Sequence, residues 1–181
     1  FDGLRLDDVV FIEDDVDAEM PNTRVQPSDV LLNITGASLG RCCLVGEDLG
    51  RANVNQHVCI IRAHRSKILP DYLCAAISSV VAQSQIFASE NGTSREGLSF
   101  QQVGSLLIVV PPRIEEQVVI NRHIRIRMEQ THVLIRKAIE STDLLREYRT
   151  ALISAAVTGK IDVREEGNLA PSRKAAKETT S

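Results

Sequence analysis

Apolar and polar positions alternate in short bursts over the first hundred residues and then settle into one helical rhythm that lasts almost to Gly159. Val9 to Glu13 and Asp29 to Thr35 are short and rich in Val, Leu and Ile. They predict strands, the second bracketed by the turn formers Pro27, Ser28 and Gly36. Arg41 to Val45 and Val54 to Arg62 predict two more, joined by the polar Gly46 to Asn53 connection. From Pro70 to Ser89 the residues Leu73, Ala76, Ile77, Val80, Val81 and Ile86 recur at three and four, so one helix opened by Pro70 and Asp71 should pack on the sheet. A polar loop over Asn91 to Gly97, a turn around Ser99 to Gly104 and a strand over Leu106 to Val110 complete a mixed α+β domain that ends at Pro111-Pro112.

The next stretch, Ile114 to Val157, holds neither Gly nor Pro. Pro112 suits a first turn, Glu115 and Glu116 suit the positive N-terminal end, and Gly159 suits the stop. A helix of about 44 residues would be roughly 66 Å long, too long to bury itself against so small a domain. Ile124, Met128, Thr131, Ile135, Ala138, Thr142, Leu145, Arg149, Leu152 and Ala156 follow a four-three spacing, the rhythm of a coiled coil with polar interruptions. Two shorter helices folded back on each other are the alternative, against which stands the lack of any turn former between them. The pattern thus divides the chain into a domain over 1–111, a long helix within 112–158 and a polar, frayed tail over 159–181.

With 181 residues and 43% hydrophobic composition the chain can afford one packed core. Its longest apolar runs fall well short of the roughly 20 residues that cross a bilayer, and no secretory leader opens it, so a cytoplasmic fragment is expected. Cys42, Cys43, Cys59 and Cys74 lie among apolar neighbours without Cys-x-x-Cys spacing, as buried thiols do in a reducing compartment, and no metal site is expected. The net charge of −3 hides a gradient: residues 1–50 carry 3 basic and 11 acidic side chains, 51–113 carry 6 and 3, and 114–181 carry 12 and 10. A protein that grips DNA unaided has a stronger basic footprint, and the absence of Trp argues against a single-strand stacking platform.

No phosphate-loop motif, no nucleophile elbow and no zinc-type histidine spacing occurs, so no catalytic residue is assigned. His57 lies in a predicted strand and has a structural or DNA-facing role in preference to a catalytic one. What remains is recognition chemistry. Asn and Gln can bond adenine in two places, Arg can do so with guanine, and Ser or Thr can serve phosphate or base. Two clusters fit: Arg51, Asn53, Asn55, Gln56 and His57, then Asn91, Thr93, Ser94 and Arg95. The plainer role for any one of them is to cap a turn, which leaves Arg51 and Arg95 as the stronger individuals.

Several segments resemble the specificity subunit of a type I restriction-modification system. Asp29-Val30-Leu31-Leu32-Asn33-Ile34-Thr35-Gly36 with Leu39-Gly40-Arg41 is similar to a strand and glycine turn of that family's target-recognition domain, and Asn53-Val54-Asn55-Gln56-His57-Val58 to the segment after it. Val110-Pro111-Pro112 with Glu115-Glu116-Gln117 resembles the start of the family's conserved helix, and the run from Tyr148 to Arg164 resembles its close. The resemblance implies a target-recognition domain, incomplete at its N-terminal side, followed by one long coiled-coil-forming helix. It corresponds to the C-terminal half of a subunit, or to a half-size version that pairs with itself. It further implies double-stranded DNA, methyltransferase (modification) subunits and a restriction subunit as partners, with a homodimer through the helix as a further option and no membrane. S-adenosylmethionine, ATP and Mg would sit on the partner subunits, and no cofactor on this chain. On this reading Arg51, Asn53, Asn55, Gln56, His57, Thr93, Ser94 and Arg95 face DNA, while Ile124, Met128, Ile135, Ala138, Leu145 and Leu152 form the subunit interface. The alternative is a helical interaction module that binds no DNA of its own; a free-standing nuclease or methyltransferase would need turnover or cofactor binding by the isolated chain.

Overall fold

The computed structural model describes residues 3, 4, 6, 9–90 and 97–161. Strand β1 (Val30–Asn33) runs antiparallel between β2 (Cys42–Leu44) and β3 (Val58–Ile61), with Val30 opposite both Leu44 and Ile61. Successive side chains of a strand point to opposite faces, and here both faces are covered. Val30, Leu32 and Ile34 enter the main core with Cys59, Leu73, Ile77, Ile86 and Leu98, while Leu31 joins Val25 and Val45 in a smaller cluster. This is why β1 reads as a continuous apolar run.

The helix expected over Pro70 to Ser89 is two helices, α2 (Pro70–Ile77) and α3 (Val80–Glu90), bent by 57° at Ser78-Ser79. Ser79 Oγ donates to Ala76 O at 2.6 Å and Gln83 Nε2 to Ile77 O at 2.9 Å. Side chains thereby take carbonyls that a continuous helix would pair with N–H groups. The turn expected near Ser99 is a short helix, α4 (Phe100–Gly104), opened by a capping box between Ser99 and Gln102.

Two expected strands are not strands. Val9 to Glu13 has no neighbouring strand among the described residues; Val10 and Phe11 are 86% and 94% exposed, and the chain turns at once into α1 (Asp14–Glu19). Three acids in the first turn of α1 favour that helix start. Leu106 to Val110 is extended, but its backbone bonds go to side chains. Gln85 brackets Leu107, donating to its carbonyl at 2.8 Å and accepting from its N–H at 2.9 Å; Tyr72 donates to Val109 O at 2.9 Å. The third strand also starts later than expected, at Val58 instead of Val54, because Asn55 to Val58 forms a turn closed by Val58 N–H on Asn55 O.

Helix α5 (Ile114–Val157) has the bounds that the sequence predicts. Its one buried residue is Gln117, which lies wholly inside the fold. The Gln117 side chain accepts from Leu69 N–H at 2.9 Å and donates to Lys67 O at 3.1 Å and Pro111 O at 3.0 Å, fastening the start of α5 to the start of α2. At the other end Gly159, with φ of +72°, bonds Ala156 O while Lys160 N–H bonds Ala155 O, the paired closure for which glycine is favoured. The chain forms two compact units, Phe1–Ile126 and Arg127–Ser181, so the first turns of α5 belong with the sheet and the rest stands as its own unit. No single described helix is long and apolar enough to cross a membrane.

Candidate functional site

The first predicted cluster splits in two. Arg51 and Asn53 are engaged with a carboxylate that the sequence reading overlooked, that of Asp17, which is buried. Asn53 Nδ2 donates to Asp17 Oδ1 at 2.5 Å, Arg24 donates to Oδ2 at 2.5 Å, and Arg51 bonds the same Oδ2 as well as Asp14 Oδ1 at 3.0 Å. Burial pushes the Asp17 carboxyl up, and bonds from Asn53, Arg51 and Arg24 more than offset this, leaving it below the usual carboxylate range. An antiparallel bridge between Arg24 and Asn53 brings these residues together. Here Arg51 and Asn53 anchor α1.

Asn55, Gln56 and His57 are exposed on the turn that leads into β3. Asn55 Oδ1 accepts from His57 N–H at 3.0 Å, an arrangement by which Asn shapes a turn, and His57 O accepts from Ile34 N–H at 2.9 Å. Gln56 Nε2 lies 3.3 Å from His57 Nε2, and Thr35 Oγ1 lies 2.6 Å from His57 Nδ1. With the amide donating to Nε2, the ring proton sits on Nδ1 and is donated to Thr35, whose own hydroxyl hydrogen stays available. Among the described residues nothing occupies the Asn55 amide nitrogen.

The second predicted cluster, Asn91, Thr93, Ser94 and Arg95, lies outside the described residues. Its exit does not. Gly97 forms a bridge with Thr35, and Leu98 N–H bonds Ile34 O at 2.7 Å. A Cβ at Gly97 would stand 2.7 Å from Thr35 Cγ2 and 2.9 Å from Ile34 O, so only glycine permits this approach. The Asn55 to His57 turn and the end of the 91–97 loop thus converge on the same end of β1. Thr35 and the exposed Arg41 stand at that end too; Arg41 pairs with no carboxylate among the described residues, and its carbonyl accepts from Asn33 N–H at 2.8 Å. Neither was a predicted site residue, although both stand beside the glycine turn at Gly36 and Gly40. Asn55, Gln56, Arg51 and Asn53 further line a cleft of about 1190 Å³ whose other wall includes Val10 and Phe11.

The opposite end of β1 is closed by an ion pair. Arg62 Nε and a terminal nitrogen each donate to Asp29 at 2.7 Å, and Gln26 N–H adds a third bond at 2.7 Å. Burial raises the Asp29 carboxyl, and Arg62 with Gln26 brings it below its ordinary value. No group of three or more His, Cys, Asp or Glu among the described residues is arranged to hold a metal.

On α5, Ile124 and Met128 are half-buried, Ala138 is exposed, and Ile135, Leu145 and Leu152 are 50%, 67% and 43% exposed. Leu134, Ile139, Leu144, Tyr148 and Ile153, off that line, are exposed as well. Apolar side chains therefore occupy more than one face of this helix.

A three-stranded mixed domain continued into a 44-residue helix is the organisation of one portion of a type I restriction-modification specificity subunit, and the comparisons bear this resemblance out. The chain is 29% identical over 106 residues to the Type I restriction enzyme EcoBI specificity subunit of Escherichia coli, a match covering 59% of this chain and 22% of the relative. It superposes on the HsdS subunit from Thermoanaerobacter tengcongensis with a TM-score of 0.56 and 30% identity, over 67% of this chain and 32% of that one. A chain solved in work on complex assembly and conformational transition of the type I R-M system gives a TM-score of 0.57 at 25% identity, covering 72% and 34%. The sequence given thus spans about a third of these solved chains and less of the curated relative. No family model matches it.

Proposed function

We propose that this chain is a non-catalytic DNA-recognition and scaffold element of a type I restriction-modification complex. Its mixed domain reads one half of a bipartite site in duplex DNA, and α5 docks the methyltransferase subunits. S-adenosylmethionine, ATP and Mg serve the partner subunits, including the restriction subunit. The observation that carries the reading is the convergence of Asn55, Gln56 and His57 with the end of the 91–97 loop at Thr35, in a domain similar to specificity subunits. The backbone there is fixed by Ile34 and Asn55, so exposed amides are presented without the entropy cost of ordering a loose loop. Asn55 and Gln56 are the adenine readers; Thr93, Ser94 and Arg95 approach the same groove, and Arg41 serves a phosphate. Apolar faces on α5 suit two neighbours at once, a second helix and a methyltransferase.

Sequencing of modified adenines in cells that carry this subunit with its methyltransferase tests the reading. Asn55→Ala with Gln56→Ala should relax the motif at one half-site by roughly 5-fold to 150-fold, the equivalent of about 1–3 kcal/mol per base contact. Arg41→Ala should weaken methylation at every site alike. An unchanged motif and extent in both variants would select the interaction module without DNA binding. One observation favours that second reading: Arg51, the strongest cation of its cluster, is already committed to Asp14 and Asp17.

A further inference from the structure

Two thiols meet in the main core, apart from the residues assigned above. Cys42 lies on β2 and Cys74 on α2; their sulfurs stand 4.0 Å apart, and both are free. Cys42 Sγ is also 2.9 Å from Ser78 Oγ and 3.5 Å from Cys74 O. Strand β2 is an edge strand bonded only to β1, so it can give by the small amount that closure to a bond of about 2 Å requires. The two thiols are not equivalent. Cys42 is partly exposed whereas Cys74 is buried. A Cys42 thiolate would accept from Cys74 and Ser78, and together these outweigh its burial, so it ionises below the ordinary thiol range; the same partnership, with burial, pushes Cys74 up. Burial also pushes Cys43 and Cys59 up.

We propose that Cys42 and Cys74 are an oxidisable pair that a hydroperoxide closes into a disulfide joining β2 to α2. The Cys42 thiolate attacks a peroxide oxygen, the O–O bond breaks and hydroxide leaves, giving a sulfenic acid. The Cys74 sulfur then attacks the Cys42 sulfur, the S–O bond breaks, and a second hydroxide leaves and takes the Cys74 proton. Two thiols and one hydrogen peroxide become one disulfide and two waters, the sulfurs losing two electrons to the peroxide. The staple would restrain the turn at Gly40-Arg41, which Gln83 already ties to the break between α2 and α3 through bonds of 2.8 Å to Gly40 O and 2.9 Å to Ile77 O.

The test is mass spectrometry of the full chain, treated with increasing hydrogen peroxide, alkylated and digested with trypsin without reductant. Cleavage after Arg41, Arg51, Lys67 and Arg95 places Cys42 with Cys43 on one peptide and Cys74 alone on another. The expected result is a loss of about 2 Da from the intact chain and a cross-link between these peptides that survives Cys43→Ser and vanishes in Cys42→Ser and in Cys74→Ser. Separate alkylation of both thiols after peroxide would overturn the proposal. So would a cross-link that needs Cys43, a dimer joined through sulfur, or Cys42 gaining oxygen without pairing.

Discussion

The unit ending at Ile126 and the unit starting at Arg127 solve the problem of polar and apolar surface in opposite ways. In the first, each of the buried polar residues Asp17, Asp29 and Gln117 has three or more partners, so nothing in its interior waits for another molecule. In the second, α5 has no buried residue at all, and Leu145, Tyr148 and Val157 are 65% or more exposed. A unit with a satisfied core carries its own stability; a lone helix depends on whatever covers its apolar faces, and so on concentration and partners.

Placing charge on α5 should have the largest effect. Leu145→Glu with Leu152→Glu should abolish assembly with the methyltransferase, read as the loss of the joint peak in light scattering behind a sizing column, while the melting of the sheet domain stays unchanged. Intact assembly would show that the partner uses the other stripe, through Leu134, Ile139 and Leu144. Next comes Gln117→Leu, which strands Leu69 N–H, Lys67 O and Pro111 O in the interior. Urea unfolding should report a loss of roughly 3 kcal/mol from the first unit, and far-UV dichroism should still show α5. A loss below about 0.5 kcal/mol would mean that the junction needs no clamp.

The smallest effect is set by pH. The Asp29 carboxyl is held below its ordinary value, so its contribution is complete above the unfolded carboxylate range and is lost as pH falls through the depressed folded value. Asp17 follows the same sign. Arg62→Ala should therefore lower stability by about 2 kcal/mol at neutral pH, a figure discounted for the half-exposed guanidinium, and should shrink the gap from wild type in acid. A gap that stays constant down to the acid limb would deny Arg62 its electrostatic role. Urea midpoints measured across that range decide it.

Local chemistry made the long helix and the central strand legible. Forty-four residues without Gly or Pro, a double acid at the start and Gly159 at the end leave α5 little freedom, and β1 is apolar on both faces because both are covered. Non-local chemistry hid the rest. Asp17 draws partners from 7, 34 and 36 residues away, so no window of sequence contains that cluster. The break at Ser78-Ser79 is set by Gln83, with the apolar period running straight across it. For the candidate interface the polar types at Asn55 to His57 were readable, but the meeting point at Thr35 depends on tertiary pairing with Gly97.

The segment from Leu107 to Pro111 is tied at every second residue, to Gln85, Tyr72 and Gln117 in turn. A connector so tied acts as a stiff coupling and not as a hinge. Torque arriving at the first turns of α5 would pass into α2 and α3, because yielding would mean breaking several bonds at once. The same spacing makes the segment intolerant of a change in length. One inserted residue would carry Leu106 and Ile108 out of the core and present the tethers with the wrong carbonyls, whereas added residues in a surface loop would cost little.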